Sequence, residues 1–186
     1  MINGFFRVLS WFYGHVLHRI RVVGRENLPA EGAYLFASNH ISARDPVTLA
    51  SVLPWDTTAL AKKELFDSKW TCWIMRGLKA IPVERESGDM NSMRACLNYL
   101  KEGHPLVIFP EGHRYRDGQL HEFKTGMAFI AMRANVPLIP ARIHTTYRPF
   151  ARITLNIGAP VETGRLTGSQ ALADVTERLR AAVEAL

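Results

Sequence analysis

Ala33-Tyr34-Leu35-Phe36-Ala37-Ser38-Asn39-His40-Ile41-Ser42-Ala43-Arg44-Asp45-Pro46 is the stretch from which the rest of the chain can be read. Its first five residues form an uninterrupted apolar run, which predicts a buried strand. Pro46 then opens a helical pattern through Val47, Leu49 and Leu53, a first-turn position that suits the fixed φ of proline. His40 therefore falls where a strand gives way to a loop, the usual place for reactive groups held by a rigid scaffold. On one continuous helix, His40 and Asp45 would point about 140° apart. Across a strand-loop-helix turn the carboxylate can fold back onto the imidazole, fixing one tautomer and leaving the other nitrogen free to take a proton. Asp45 before Pro46 also has the form of a helix N-cap, and Asn39 that of a turn residue.

The same alternation continues along the chain. Residues Thr57-Thr58-Ala59-Leu60-Ala61 predict a second strand, Ala80-Ile81-Pro82-Val83-Glu84-Arg85 a short one ending in charge, and Leu106-Val107-Ile108-Phe109 the clearest buried strand. Further strands are expected over Val136–Ile143 and Ile153–Gly158. Between them lie a short apolar segment with Trp70, Trp73, Ile74 and Met75, a helix from Ser87 to Lys101 that stops at Gly103, and a helix carrying Met127, Phe129, Ile130 and Met132. Thr167-x-x-Gln170 is a capping-box signal for a last helix with Leu172, Val175, Leu179, Val183 and Leu186 inward. Strands alternating with helices predict an α/β domain, its mixed, largely parallel sheet covered on both sides.

Residues 2 to about 20 stand apart. Ile2, Phe5, Phe6, Leu9, Phe12, Tyr13, Val16, Leu17 and Ile20 fall on one broad side at helical spacing, and Asn3, Arg7, Ser10, Gly14, His18 and Arg21 on the other. The apolar arc is wider than one core contact needs, so residues 1–21 are read as a membrane-surface helix ahead of a domain spanning 22–186. A helix docked on the protein's own core is the alternative.

Composition sets the bounds. A chain of 186 residues, 47% hydrophobic and 22% charged, is of single-domain size and globular rather than disordered. The net charge of +6 favours acidic partners: phosphate-bearing substrates, anionic headgroups or nucleic acid. Nucleic acid is not expected, for no aromatic–basic stacking face or known motif is visible. Cys72 and Cys96, far apart and among apolar neighbours, read as buried thiols in a reducing compartment. No apolar run has the length of a membrane span and no signal-peptide cleavage pattern is present, so membrane contact is expected at the surface.

A second stretch gives the first its chemical meaning. Phe109-Pro110-Glu111-Gly112-His113-Arg114 lies about seventy residues beyond His40, at the end of the clearest strand. Together, Asn39-His40-x4-Asp45 and Phe109-Pro110-Glu111-Gly112-x-Arg114 resemble the glycerolipid acyltransferases, in particular the 1-acylglycerol-3-phosphate acyltransferases. Gly24-x-Glu26-Asn27-Leu28-Pro29, Ala61-Lys62-x-Glu64-Leu65 and the Val83-Glu84-Arg85 segment resemble that family too, in family order. The resemblance implies the fold of that family, a catalytic His40 and Asp45, and an Arg85 that meets the substrate phosphate. It favours substrate binding by the Glu111-Gly112-x-Arg114 loop. An ion pair between Glu111 and Arg114 is the structural alternative.

With Asn39, Lys62 and Lys124, these residues make up the candidate binding set. The implied acyl donor is acyl-CoA or acyl-carrier protein, the acceptor a lysophospholipid, and the place the cytoplasmic face of a membrane. No cofactor is expected beyond the donor. No metal is expected either, because the spacing of His104, Glu111, His113 and His121 matches no zinc motif. His113 and Tyr115 depart from the threonine and serine common in the family, which leaves other lysolipids or an amino-acid lipid open as acceptors. A non-catalytic module that captures anionic lipid is the reading from a different class.

Overall fold

The computed structural model describes residues 8–84, 90–148, 150–164 and 168–186. Among these, seven strands form one sheet: β1 (Ile20–Val23), β2 (Leu35–Ser38), β3 (Thr58–Lys62), β4 (Ile81–Val83), β5 (Leu106–Ile108), β6 (Leu138–His144) and β7 (Ile153–Ile157). Their order is β1-β7-β6-β2-β5-β3-β4. Every neighbouring pair is parallel except β6 and β7. The helices are α1 (8–17, its last turn the π-helical Tyr13–Leu17), α2 (Asp45–Ala50), α3 (Lys69–Gly77), α4 (Met90–Lys101), α5 (Gly126–Ala134) and α6 (Ser169–Glu184).

Parallel strands are joined by crossover helices and lose both faces to the core, which is why their sequences read as apolar runs. All four residues of β2 are buried. Leu35 and Ala37 pack on the face covered by α4, α5 and α6, with Leu100, Met127 and Leu179. Tyr34 and Phe36 pack on the opposite face with Leu49 and Leu53. The register of β2 against β5, Leu35 to Leu106 and Ala37 to Ile108, aligns the carboxyl ends of the two strands. That alignment brings the two motif stretches together.

The N-terminal helix departs from expectation in two ways. It ends at Leu17, because Ile20 and Arg21 pair with Ile153 and Thr154 as β1. Its polar stripe, moreover, is turned inward. Ser10, Gly14 and His18 are buried against the domain, whereas Val8, Leu9, Trp11, Phe12, Val16 and Leu17 are exposed. A Cβ at Gly14 would come within 2.7 Å of Ser51 Oγ and 2.8 Å of Ile20 Cδ1, so the small residues allow a close approach that a larger side chain would block. His18 does not face outward as its position in the stripe suggested; its Nδ1 hydrogen-bonds the Ala151 carbonyl at 3.3 Å. Cys72 is half-buried rather than buried, in the first turn of α3. Ile2, Asn3, Phe5, Phe6, Arg7, Arg85, the Ser87–Asp89 cap and Thr167 lie outside the described residues. No helix among the described residues is long and apolar enough to cross a membrane.

Candidate active site

At the carboxyl end of β2 the chain turns through Ser42 into α2, and Asp45 folds back onto His40. His40 Nδ1 donates to Asp45 Oδ2 at 2.8 Å. The same oxygen accepts the backbone N–H groups of Ile41 and Ser42, each at 2.8 Å. These amides precede the helix, so Asp45 organises the loop instead of capping α2, whose N-cap is Arg44. Asp45 is wholly buried, and three donors on one oxygen offset the penalty of burying its charge. The proton is thereby fixed on Nδ1. Nε2 is left as the ring nitrogen without a protein partner among the described residues, and the ring itself stacks on Phe109 at 4.0 Å.

The two motifs interlock through the backbone. The His40 N–H donates to Glu111 Oε1 at 2.9 Å, the His121 N–H to Glu111 Oε2 at 3.2 Å, and the Tyr115 N–H to the His40 carbonyl at 2.9 Å. Both carboxylate oxygens of Glu111 are thus taken up by amides of this chain. Burial pushes its carboxyl above the ordinary value, against the downward pull of those two hydrogen bonds. Asn39 has an equally structural setting. Its side-chain amide donates to the Ile143 carbonyl at 3.1 Å and accepts the Ile143 N–H at 2.7 Å, which extends the β2–β6 ladder by one residue. Gly112 has a φ of 71°, and a Cβ there would lie 2.9 Å from Lys124 Cε, so the glycine lets Lys124 pass across the loop.

A largely apolar cavity of about 720 Å³ opens beyond His40. It runs the length of β3, from Thr58 to Lys62, and reaches Val83 at the end of β4, Ile108 at the end of β5 and His40 beyond β2. Leu53, Leu60, Ile74, Met75 and Met93 contribute to its walls, and His40, Lys62, Arg114 and Lys124 its polar groups. Lys62 pairs with Glu64 at 2.7 Å, and Lys63 pairs with Glu84 just before the position of Arg85. Among the described residues neither Arg114 nor Lys124 pairs with a carboxylate, so Arg114 does not form the ion pair with Glu111 that was the alternative reading. The site thus brings together His40, Asp45, Glu111, Gly112, Arg114 and Lys124, with Lys62 across the cavity; Arg85 lies outside the described residues. The histidines weighed as metal ligands are dispersed: His104 pairs with Asp56 and His121 with Asp117.

The acyltransferase family profile matches residues 19–144, which contain both motifs. The chain belongs to the acyltransferase family. It is 31% identical over 176 residues to the 1-acyl-sn-glycerol-3-phosphate acyltransferase of Bacillus subtilis, covering 90% of this chain and 87% of that one. To the enzyme of the same name from Borreliella burgdorferi it is 28% identical over 166 residues, covering 87% of this chain and 64% of that one. A chloroplastic relative from Arabidopsis thaliana is 30% identical, with 69% of this chain matching 37% of its length. Among solved structures, the 1-acyl-sn-glycerophosphate (LPA) acyltransferase PlsC from Thermotoga maritima superposes with a TM-score of 0.75 at 26% identity, over 99% of this chain and 77% of that one.

One residue of this acyltransferase's site has no signal in either motif. Tyr147, in the loop after β6 and beyond the matched segment, donates its phenol hydrogen to Asp45 Oδ1 at 2.6 Å. The two departures from the family pattern also have settings. Tyr115 stacks on His121 at 3.6 Å, whereas His113 is exposed and does not line the cavity.

Proposed function

We propose that the protein transfers an acyl group from a thioester donor, acyl-CoA or acyl-carrier protein, to the free hydroxyl of a lysophosphatidic-acid-like acceptor. The names of its relatives supply the reaction. The observation that carries it here is the buried His40–Asp45 pair facing an apolar cavity that also receives Arg114 and Lys124. His40 Nε2 takes the hydroxyl proton as the acceptor oxygen bonds to the thioester carbonyl carbon, and Asp45 stabilises the imidazolium that forms. Collapse of the adduct breaks the C–S bond, and the proton leaves with the thiolate.

A direct transfer is supported by the setting of Cys96. It lines the cavity, but burial pushes its thiol up to about 12, so it stays protonated and is no nucleophile. The apolar walls suit an acyl chain, and Arg114 and Lys124 a phosphomonoester, which arginine grips bidentately. General-base catalysis supplies about 10²–10⁴-fold, and positioning of the two substrates supplies the rest.

Such an acceptor resides in bilayers, and α1 is suited to reach it. With its small and polar stripe turned inward, the helix leaves Trp11 53% and Phe12 47% exposed beside Val16, on a protein of net charge +6. An apolar face of this kind sinks into the headgroup boundary while basic residues meet anionic lipid. The cytoplasmic face of a membrane is the proposed location. Acyl transfer from radiolabelled acyl-CoA to a panel of lysophosphatidic acid, other lysophospholipids and amino-acid lipids tests the reading. Product with lysophosphatidic acid alone is expected; no transfer to any acceptor would reject it.

A further inference from the structure

We propose that Tyr147 is the positioning residue of the dyad: its phenol holds the second oxygen of Asp45, so that the carboxylate cannot rotate away from His40. The inference rests on reading His40 as the general base. Asp45 Oδ2 is fixed by His40, Ile41 and Ser42, all from its own loop, but Oδ1 receives its donor from Tyr147, 102 positions further along the chain. The O–H···O separation of 2.6 Å is that of a strong, charge-assisted bond. Behind the phenol, Thr48 Oγ1 lies 3.1 Å from its oxygen; with the tyrosine hydrogen committed to Asp45, Thr48 is the donor. Every hydrogen in the chain Thr48–Tyr147–Asp45–His40 therefore points toward the carboxylate.

The surroundings hold Tyr147 for this role. Its backbone has a φ of 51°, a left-handed conformation rare for an aromatic residue and kept only where other contacts over-determine it. Arg44 Nη1 donates to the Tyr147 carbonyl at 2.7 Å, and Thr145 Oγ1 accepts its N–H at 3.1 Å. The His18 ring, at the end of α1, meets the Tyr147 ring edge-on at 6.3 Å. Burial and the charge of Asp45 both push the phenol upward, so it keeps its proton.

The consequence is kinetic. Without the phenol hydrogen, Oδ1 is a buried acceptor with no donor, and only the three bonds on Oδ2 are left to hold the carboxylate in line with the His40 ring. The titratable or charged groups around Asp45 are His40 and Arg44 from its own loop, Tyr13 and His18 from α1, and Glu111 behind the His40 amide. Tyr147→Phe leaves all of them in place.

The test is steady-state acyl transfer by purified Tyr147→Phe, with folding checked by circular dichroism. A fall in kcat of roughly tenfold to a hundredfold is expected, with KM for both substrates within about twofold. In the Asp45→Ala background, Tyr147→Phe should have no further effect, because the phenol acts only through that carboxylate. If Tyr147→Phe fails to fold, Thr48→Val takes its place, and a smaller fall in kcat with KM unchanged is expected. An unchanged kcat in a folded variant, or a full additional loss on top of Asp45→Ala, would overturn the assignment. Full activity of His40→Ala would instead remove the base reading beneath it.

Discussion

Glu111 offers the sharpest test of how the site is built, because sequence suggested that it touches substrate and its geometry gives it another task. Its carboxylate is 3% exposed, does not line the cavity, and accepts the amides of His40 and His121 at 2.9 and 3.2 Å. Glu111→Ala leaves both donors unpaired, at about 1–3 kcal/mol each. The upward push on the carboxyl shows that burying the charge gives part of this back, so the lower half of the range, about 2–4 kcal/mol, is expected. For a domain of this size that is a fall in Tm of about 4–16 °C. The pH dependence has a definite sign. A carboxyl held above its ordinary value of 4.5 contributes stability that is complete below that value and is lost as pH rises through the folded-state value. The gap between wild type and Glu111→Ala should therefore narrow from pH 4 toward neutrality in thermal unfolding. In kinetics, kcat should fall with the displaced His40 loop while KM for the acceptor stays put. A raised acceptor KM with an unchanged Tm would mean that Glu111 binds substrate, and the clamp would be refuted.

Other expectations follow from the same geometry. His40→Ala should lower kcat by about 10²–10⁴-fold without changing the circular dichroism spectrum; near-normal turnover would exclude the base role. Arg114→Ala should raise KM for a phosphorylated acceptor roughly tenfold to a hundredfold and leave that for acyl-CoA unchanged; equal KM for phosphorylated and unphosphorylated acceptors in wild type and variant would place the phosphate elsewhere. Replacing Trp11, Phe12 and Val16 together with serine should release the protein from phosphatidylcholine–phosphatidylglycerol vesicles in sedimentation while sparing turnover of a short-chain acceptor. Undiminished vesicle binding would show that α1 is not the anchor.

What the sequence revealed and what it hid follow from one distinction. Buried parallel strands such as β2 and β5 are apolar, and each runs within a residue or two into a polar motif stretch, so the strand ends and the candidate residues beside them could be located directly. The return of Asp45 onto His40 was legible for the same reason: only a tight turn separates them. Contacts made by strand order were hidden. Tyr147 reaches Asp45 only because β6 lies beside β2, a neighbour relation that no local pattern encodes. Amphipathicity likewise divides α1 into two faces without saying which one packs; Gly14 decides it, since only the stripe of small residues lets the helix approach Ser51 and Ile20 closely.

That strand order also explains how the site can be both rigid and accessible. β2 leads into His40 and is flanked by β6 on one side and β5 on the other. From the β6 side come the groups that orient: Ile143 closes on Asn39, and Tyr147 on Asp45. From the β5 side comes a single loop that faces two ways. Glu111 turns inward to hold the His40 amide, and three residues later Arg114 turns outward to the cavity, with Gly112 giving the backbone the left-handed step between them. Because the His40 amide is held by a buried carboxylate and not by the exposed guanidinium, the His40 loop is fixed independently of what Arg114 meets in the cavity.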